Sequence, residues 1–162
     1  MFKVNDYVIY KSTGVYKIVD IVKEDIHGID IEYYVIQPVY GNNLTIKAPV
    51  KTAQTTMRKT MTKEDVLSLI ATMPEQETIW IEDDRQRNEY FKDTLKNGNS
   101  EEWVKLIKTL YLEKQKKSDA GKKLMKTDEQ IMKAAEKNLY EEFAVALNIS
   151  PDEVVSYIRD HV

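Results

Sequence analysis

The chain has no cysteine in its 162 residues. That excludes a disulfide scaffold, a thiolate zinc site and a cysteine nucleophile together, and points to a cytoplasmic protein. Glycine is scarce: the five glycines are isolated from one another, so no Gly-rich phosphate loop or Walker motif is present. The two histidines, His27 and His161, lack the partners that a triad or a metal site requires. No apolar run approaches the roughly 20 residues needed to cross a bilayer, and Met1 to Asp6 contain no apolar stretch of the signal-peptide kind. The acidic run Glu82-Asp83-Asp84 reads as a solvated helix start favoured by the macrodipole rather than as an acid–base pair. Catalysis, a metal and a cofactor are therefore not expected, and neither is a small-molecule substrate.

What is present is a globular composition, 42% hydrophobic and 31% charged, with a net charge of −3. The charge is unevenly placed. Residues 1–60 carry 8 basic and 6 acidic side chains, residues 103–126 carry 8 and 2, and residues 127–162 carry 3 and 8. The basic stretch is either an electrostatic footprint for phosphate or a solvated helix face and turn.

The first 60 residues alternate with the period of strands. Phe2 to Tyr10, with a turn pair at Asn5-Asp6, then Val15 to Val22, Ile31 to Val39, Leu44 to Pro49 and Thr56 to Thr60 form five short segments. Turn signals separate them at Ser12-Thr13-Gly14, His27-Gly28 and Gly41-Asn42-Asn43. Both faces of the second segment are partly apolar, as in a small closed barrel. At Thr62 the period changes. Thr62-Lys63-Glu64-Asp65 reads as a helix cap ahead of Val66, Leu67, Leu69 and Ile70. Residues 75–82 read as a linker holding Trp80, and a helix over 83–97 ends at Asn97-Gly98-Asn99. A third helix buries Trp103, Leu106, Ile107 and Leu110. Thr127 to Gln130 fits a capping box before a helix burying Ile131, Ala135, Leu139, Phe143 and Leu147. Ser150-Pro151 starts a last short helix. The expectation is an α+β chain: a Tudor/SH3-like five-stranded β-barrel over 1–61 and an all-helical domain over 62–162, monomeric.

The order of these segments carries a resemblance. Phe2 to Gly14 resembles the opening F-K-x-G-D-x-V-V-Y stretch of the CarD family of bacterial transcription regulators, with Asn5 where the family has glycine. Glu32 to Ile36 and Leu44 to Pro49 match in register, and Leu95-Lys96-Asn97-Gly98-Asn99 resembles the family's L-x-S-G-D turn. A Trp103 to Tyr111 helix and the Glu142 to Leu147 ending complete the pattern. The resemblance implies an N-terminal domain that docks on the RNA polymerase β subunit, similar to the module of transcription–repair coupling factors. It implies a helical half that contacts promoter DNA and alters open-complex stability. The alternative is an adaptor that binds polymerase or another protein without touching DNA.

Carried over position by position, the resemblance assigns polymerase contact to Lys47, and to Glu24 with Lys23 beside it, where the family has a basic residue. For DNA, the family's wedge tryptophan falls at Asp84, with Trp80 four residues earlier as either a shifted wedge or a core anchor. Arg87 falls on a family basic position. Arg85 lies close by, and Lys123 and Lys126 come from the basic stretch. Such contact is expected to be weak and phosphate-dominated.

Overall fold

The structure, a computed structural model, describes residues 1–161. Five antiparallel strands, β1 (Tyr7–Tyr10), β2 (Val15–Ile26), β3 (Ile29–Pro38), β4 (Ile46–Pro49) and β5 (Met57–Lys59), form one sheet in the order β4-β3-β2-β1-β5. The expected closed barrel is corrected: among the described residues no ladder joins the outer strands β4 and β5. Between them run a 3₁₀ turn (Val50–Thr52) and a single helical turn, α1 (Ala53–Thr56), which buries Ala53 in the same cluster as Val8, Ile18, Tyr34, Ile36, Ala48 and Met57. The seam is thus packed by a turn rather than closed by hydrogen bonds. The register of β2 on β3 shifts between Ile18 and Asp20, leaving Val19 as the bulged residue.

The first strand is shorter than the apolar pattern predicts. Lys3 to Asp6 fold back as a turn, with Asn5 at φ 77°, a left-handed conformation that asparagine tolerates best after glycine. That accounts for an asparagine standing where the family's opening stretch has glycine. Gly41-Asn42-Asn43 does not make a tight hairpin; the chain pairs again only at Ile46.

The helical half comprises α2 (Lys63–Thr72), α3 (Asp84–Asn97), α4 (Ser100–Asp119), α5 (Lys126–Leu147) and α6 (Val154–His161). Local chemistry sets most of the starts. Thr62 accepts a hydrogen bond from the Asp65 amide at 3.1 Å, Asp83 from Gln86 at 2.9 Å, and Asn99 from Glu102 at 3.0 Å. Between α3 and α4, a Cβ added to Gly98 would overlap the Thr94 carbonyl oxygen, so the tight turn requires glycine. That carbonyl also accepts from the Gly98 amide (2.8 Å) and from Nε1 of the fully buried Trp103 (3.2 Å). The expected capping box at Thr127 does not form. The helix starts two residues earlier, at Lys126, Met125 is the cap residue without a side-chain bond, and Asp128 is buried in the first turn. The basic stretch is partly helical, since α4 continues to Asp119.

Why both faces of the N-terminal sheet are apolar is now plain. One face forms the sheet's own core. On the other, Ile9 and Val15 join Val66, Ile70, Trp103, Leu139 and Phe143 in a core shared with the helices. A buried ion pair sits at this junction. Glu142 of α5 is 0% exposed, and Arg58 of β5 donates to both its oxygens, at 2.8 and 3.0 Å. The Met61 amide (2.8 Å) and the Ser100 hydroxyl also donate to Glu142, and the Arg58 guanidinium lies 5.3 Å from the Trp103 ring centroid. The β1–β2 turn adds further ties: Ser12 Oγ donates to the Lys96 carbonyl (2.5 Å), and Asn138 Nδ2 to the Ser12 carbonyl (2.7 Å). At Gly14, φ 135°, a Cβ would stand 2.8 Å from Glu141 Oε1, which the carboxylate could move to relieve; it is the positive φ that favours glycine in this turn against α5. Arg58 is itself about a third exposed, but removing it leaves the fully buried Glu142 without its cation. Arg58→Ala is therefore expected to cost about 3–5 kcal/mol in urea unfolding of the full chain. A loss under about 0.5 kcal/mol would show the junction to be held by its apolar contacts alone.

Candidate functional site

Two surfaces hold the residues that the family pattern singles out. The first is the outer face of the β2–β3–β4 sheet. Tyr34, Ile36 and Ala48 point inward, and strand alternation sends Tyr33, Val35 and Lys47 outward. Glu24, opposite Ile31, shares that outward face. Lys47 and Glu24 form an ion pair that reaches over β3 from β4 to β2. Half-buried Val22, Ile31, Tyr33 and Val35 lie around it, and Ile26 and Ile29 stand exposed toward the hairpin tip. The face is largely apolar, with the Lys47–Glu24 pair at its middle and the exposed Asp20, opposite Val35, on the same side. Lys23 is not part of it: paired opposite Glu32, it points to the other side of the ribbon.

The second surface is the end of the helical half away from the sheet. The short α3–α4 turn makes these helices antiparallel neighbours, so the start of α3, the end of α4 and the start of α5 come together. Ion pairs Arg87–Asp128 and Lys114–Glu129 show the meeting. Lys114, Lys116, Lys117, Lys122, Lys123 and Lys126 cluster in sequence around this end, and Lys123 and Lys126 are exposed. Arg85 is 90% exposed, with only Glu89 near it at 3.7 Å.

Arg87 is corrected from a phosphate contact to an interior residue. It is 2% exposed, bonds Asp128 through Nε (3.3 Å) and Nη2 (3.0 Å), and donates to the Ile81 and Glu82 carbonyls at 3.0 and 3.3 Å. Asp84, at the wedge position, pairs with the same guanidinium at 2.9 Å. Burial works against the Arg87 cation, but hydrogen bonds and charge from Asp128 and Asp84 outweigh it and hold its pKa above the ordinary arginine value. Trp80 is partly buried in the loop before α3, against Phe91 (6.2 Å between centroids), with the Arg87 guanidinium 4.4 Å and the Lys117 ammonium 5.8 Å from its ring centroid. The side chains that order this end, Arg87 and Asp128, and those that order the junction, Arg58 and Glu142, were not all visible as such in the sequence. A signal existed. Asp128, Ile131, Ala135, Asn138 and Glu142 follow the 3–4 spacing of one helix face, which places two acids on a buried stripe.

Residues 2–61 match the family model of the CarD-like/TRCF RID domain. The chain carries a CarD-like RNA-polymerase-interacting domain. The match ends where the sheet ends, between β5 and α2, so the sheet with its outer face is the matched unit and the helices lie beyond it. Domains of this family are protein-interaction modules. No curated protein matches the chain. No helix among the described residues is long and apolar enough to cross a membrane.

The two arginines of α3 should respond oppositely to mutation. Arg87→Ala strands buried Asp128 and is expected to cost about 3 kcal/mol or more in urea unfolding, whereas Arg85→Ala should change stability by less than about 0.5 kcal/mol. Equal effects would contradict the burial of Arg87.

Proposed function

We propose that this RNA-polymerase-interacting protein is a cytoplasmic transcription regulator that bridges two partners, the polymerase β subunit through the outer sheet face and promoter DNA through the basic end of the helices. The observation that carries the reading is the distribution of these surfaces over one joined body. The matched domain presents a largely apolar face around Lys47 and Glu24. The lysine-rich end lies along α4, whose 20 residues span roughly 30 Å from the junction at Ser100. Lys122, Lys123, Lys126 and Arg85 are the groups free to meet phosphate, and such contacts position DNA without reading its sequence. Trp80 supports the packing of this end instead of inserting between bases, because its ring is already held by Phe91 and Arg87. Tethering by polymerase raises the local DNA concentration, so a few lysines suffice to change open-complex stability.

A second reading, an adaptor without DNA contact, is favoured by the interior role of Arg87 and by Asp84 at the wedge position. Replacing Lys122, Lys123 and Lys126 by Glu separates the two. The bridging reading expects a shortened open-complex lifetime with polymerase β-subunit pull-down intact; an unchanged lifetime selects the adaptor. For the docking face, Lys47→Glu places two acids side by side and should weaken β-subunit binding about tenfold, ~1.4 kcal/mol, in a titration of the full chain. Unaltered affinity would move the polymerase contact off this face.

A further inference from the structure

The seam between α4 and α5 is covered on one side by α3 and on the other by α2 and α6, but α2 and α6 are short. Beyond them lies an open groove of about 460 Å³. Ile107 and Tyr111 of α4 line one side, Met132 and Tyr140 of α5 the other, and Pro74 and Ile158 close its end. Tyr111 is 50% exposed at the mouth. The volume falls in the range of sites that take a ligand or a few inserted side chains.

Polar groups in the lining are mostly engaged. Lys108 Nζ donates to the carbonyls of Met73 (3.2 Å), Pro74 (2.9 Å) and Gln76 (2.8 Å), and the Tyr111 hydroxyl accepts from Gln115 at 2.9 Å. Glu136 is different. Among the described residues it has no hydrogen-bond or ion-pair partner. The nearest lysines, Lys114 and Lys133, lean toward Glu129 at 3.9 and 4.0 Å. Burial pushes the Glu136 carboxyl above its ordinary value although those two lysines pull the other way, and burial, with Glu136 beside it, pushes the Tyr140 hydroxyl up to about 12. An apolar trough with one carboxylate that, among the described residues, has no direct hydrogen-bond or ion-pair partner is complementary to an apolar ridge that carries one cation.

We propose that this groove is a docking site for an amphipathic helix of a partner protein, with aliphatic residues at i, i+3 or i+4 and i+7 in the trough and one Lys or Arg paired with Glu136. The helix extends the layer that α2 and α6 leave unfinished. The site shares no lining residue with the outer sheet face or with Arg85, Lys122, Lys123 and Lys126, so it stands whether or not those surfaces act as proposed.

The test uses the full chain and a fluorescein-labelled synthetic peptide of about 18 residues, long enough to be helical, with three leucines at that spacing and one arginine. Fluorescence anisotropy is expected to show binding in the range of about 10 μM, weakened about tenfold by Glu136→Lys. A second peptide with glutamate in place of the arginine should reverse the preference and bind the Glu136→Lys protein better. Tyr111→Glu, an exposed position whose fold is checked by its melting curve, should weaken both. No binding up to about 1 mM, or the same affinity for the parent and Glu136→Lys proteins with either peptide, would overturn the proposal.

Discussion

The architecture depends on two acids buried on one helix. Asp128 at the start of α5 and Glu142 near its end both face inward, and each is met by an arginine from a different part of the chain, Arg87 of α3 and Arg58 of β5. Fourteen residues separate them, about 21 Å of helix. Burying a carboxylate alone is prohibitive, so each acid requires its arginine, and each arginine in turn requires the element that delivers it. Folding of α5 into the core is thus conditional on α3 closing one end and on the sheet docking at the other. Such pairs contribute modestly to stability compared with an apolar replacement, while loss of one partner is costly.

That arrangement has a functional consequence. Because Ile9, Val15 and Arg58 serve the shared core, the polymerase-interacting sheet and the helices are not beads on a linker. The sheet's outer face keeps a set relation to the lysine-rich end of the helices. In the bridging proposal, two weak surfaces on a stiff body act together more effectively than on a flexible one, provided that their partners are presented at the matching separation. The free lysines and the apolar α4–α5 groove both lie beyond residues 2–61, the part that the family model matches.

Much of this could be read before any coordinates. The strand segments, the turns at Gly14 and Gly28, the cap at Thr62, and the buried stripes of α4 and α5 follow from period and cap chemistry, because those are local properties of a few consecutive residues. Three departures, the open barrel, the cap of α5 and the burial of Arg87, share a cause. Barrel closure was inferred from apolar residues on both strand faces, but the second face is covered by helices distant in sequence. Thr127 looked like a cap because Gln130 follows it, yet Asp128 is drawn inward by Arg87, 41 residues away, and the helix begins earlier to suit it. The burial of Arg87 has the same cause: Asp84, one turn away, is exposed and leaves the arginine at the surface by itself, whereas the acid that draws it inside, Asp128, lies 41 residues on.

By itself, then, the sequence determined the element types, the α+β division and a polymerase-interacting N-terminal domain, since each depends on short-range pattern or on an ordered set of segments. Only the tertiary structure decided which charges are free. Arg58 with Glu142 are 84 residues apart and Arg87 with Asp128 are 41 apart. An arginine available to phosphate differs from one locked in a core solely by whether the fold brings a carboxylate to it.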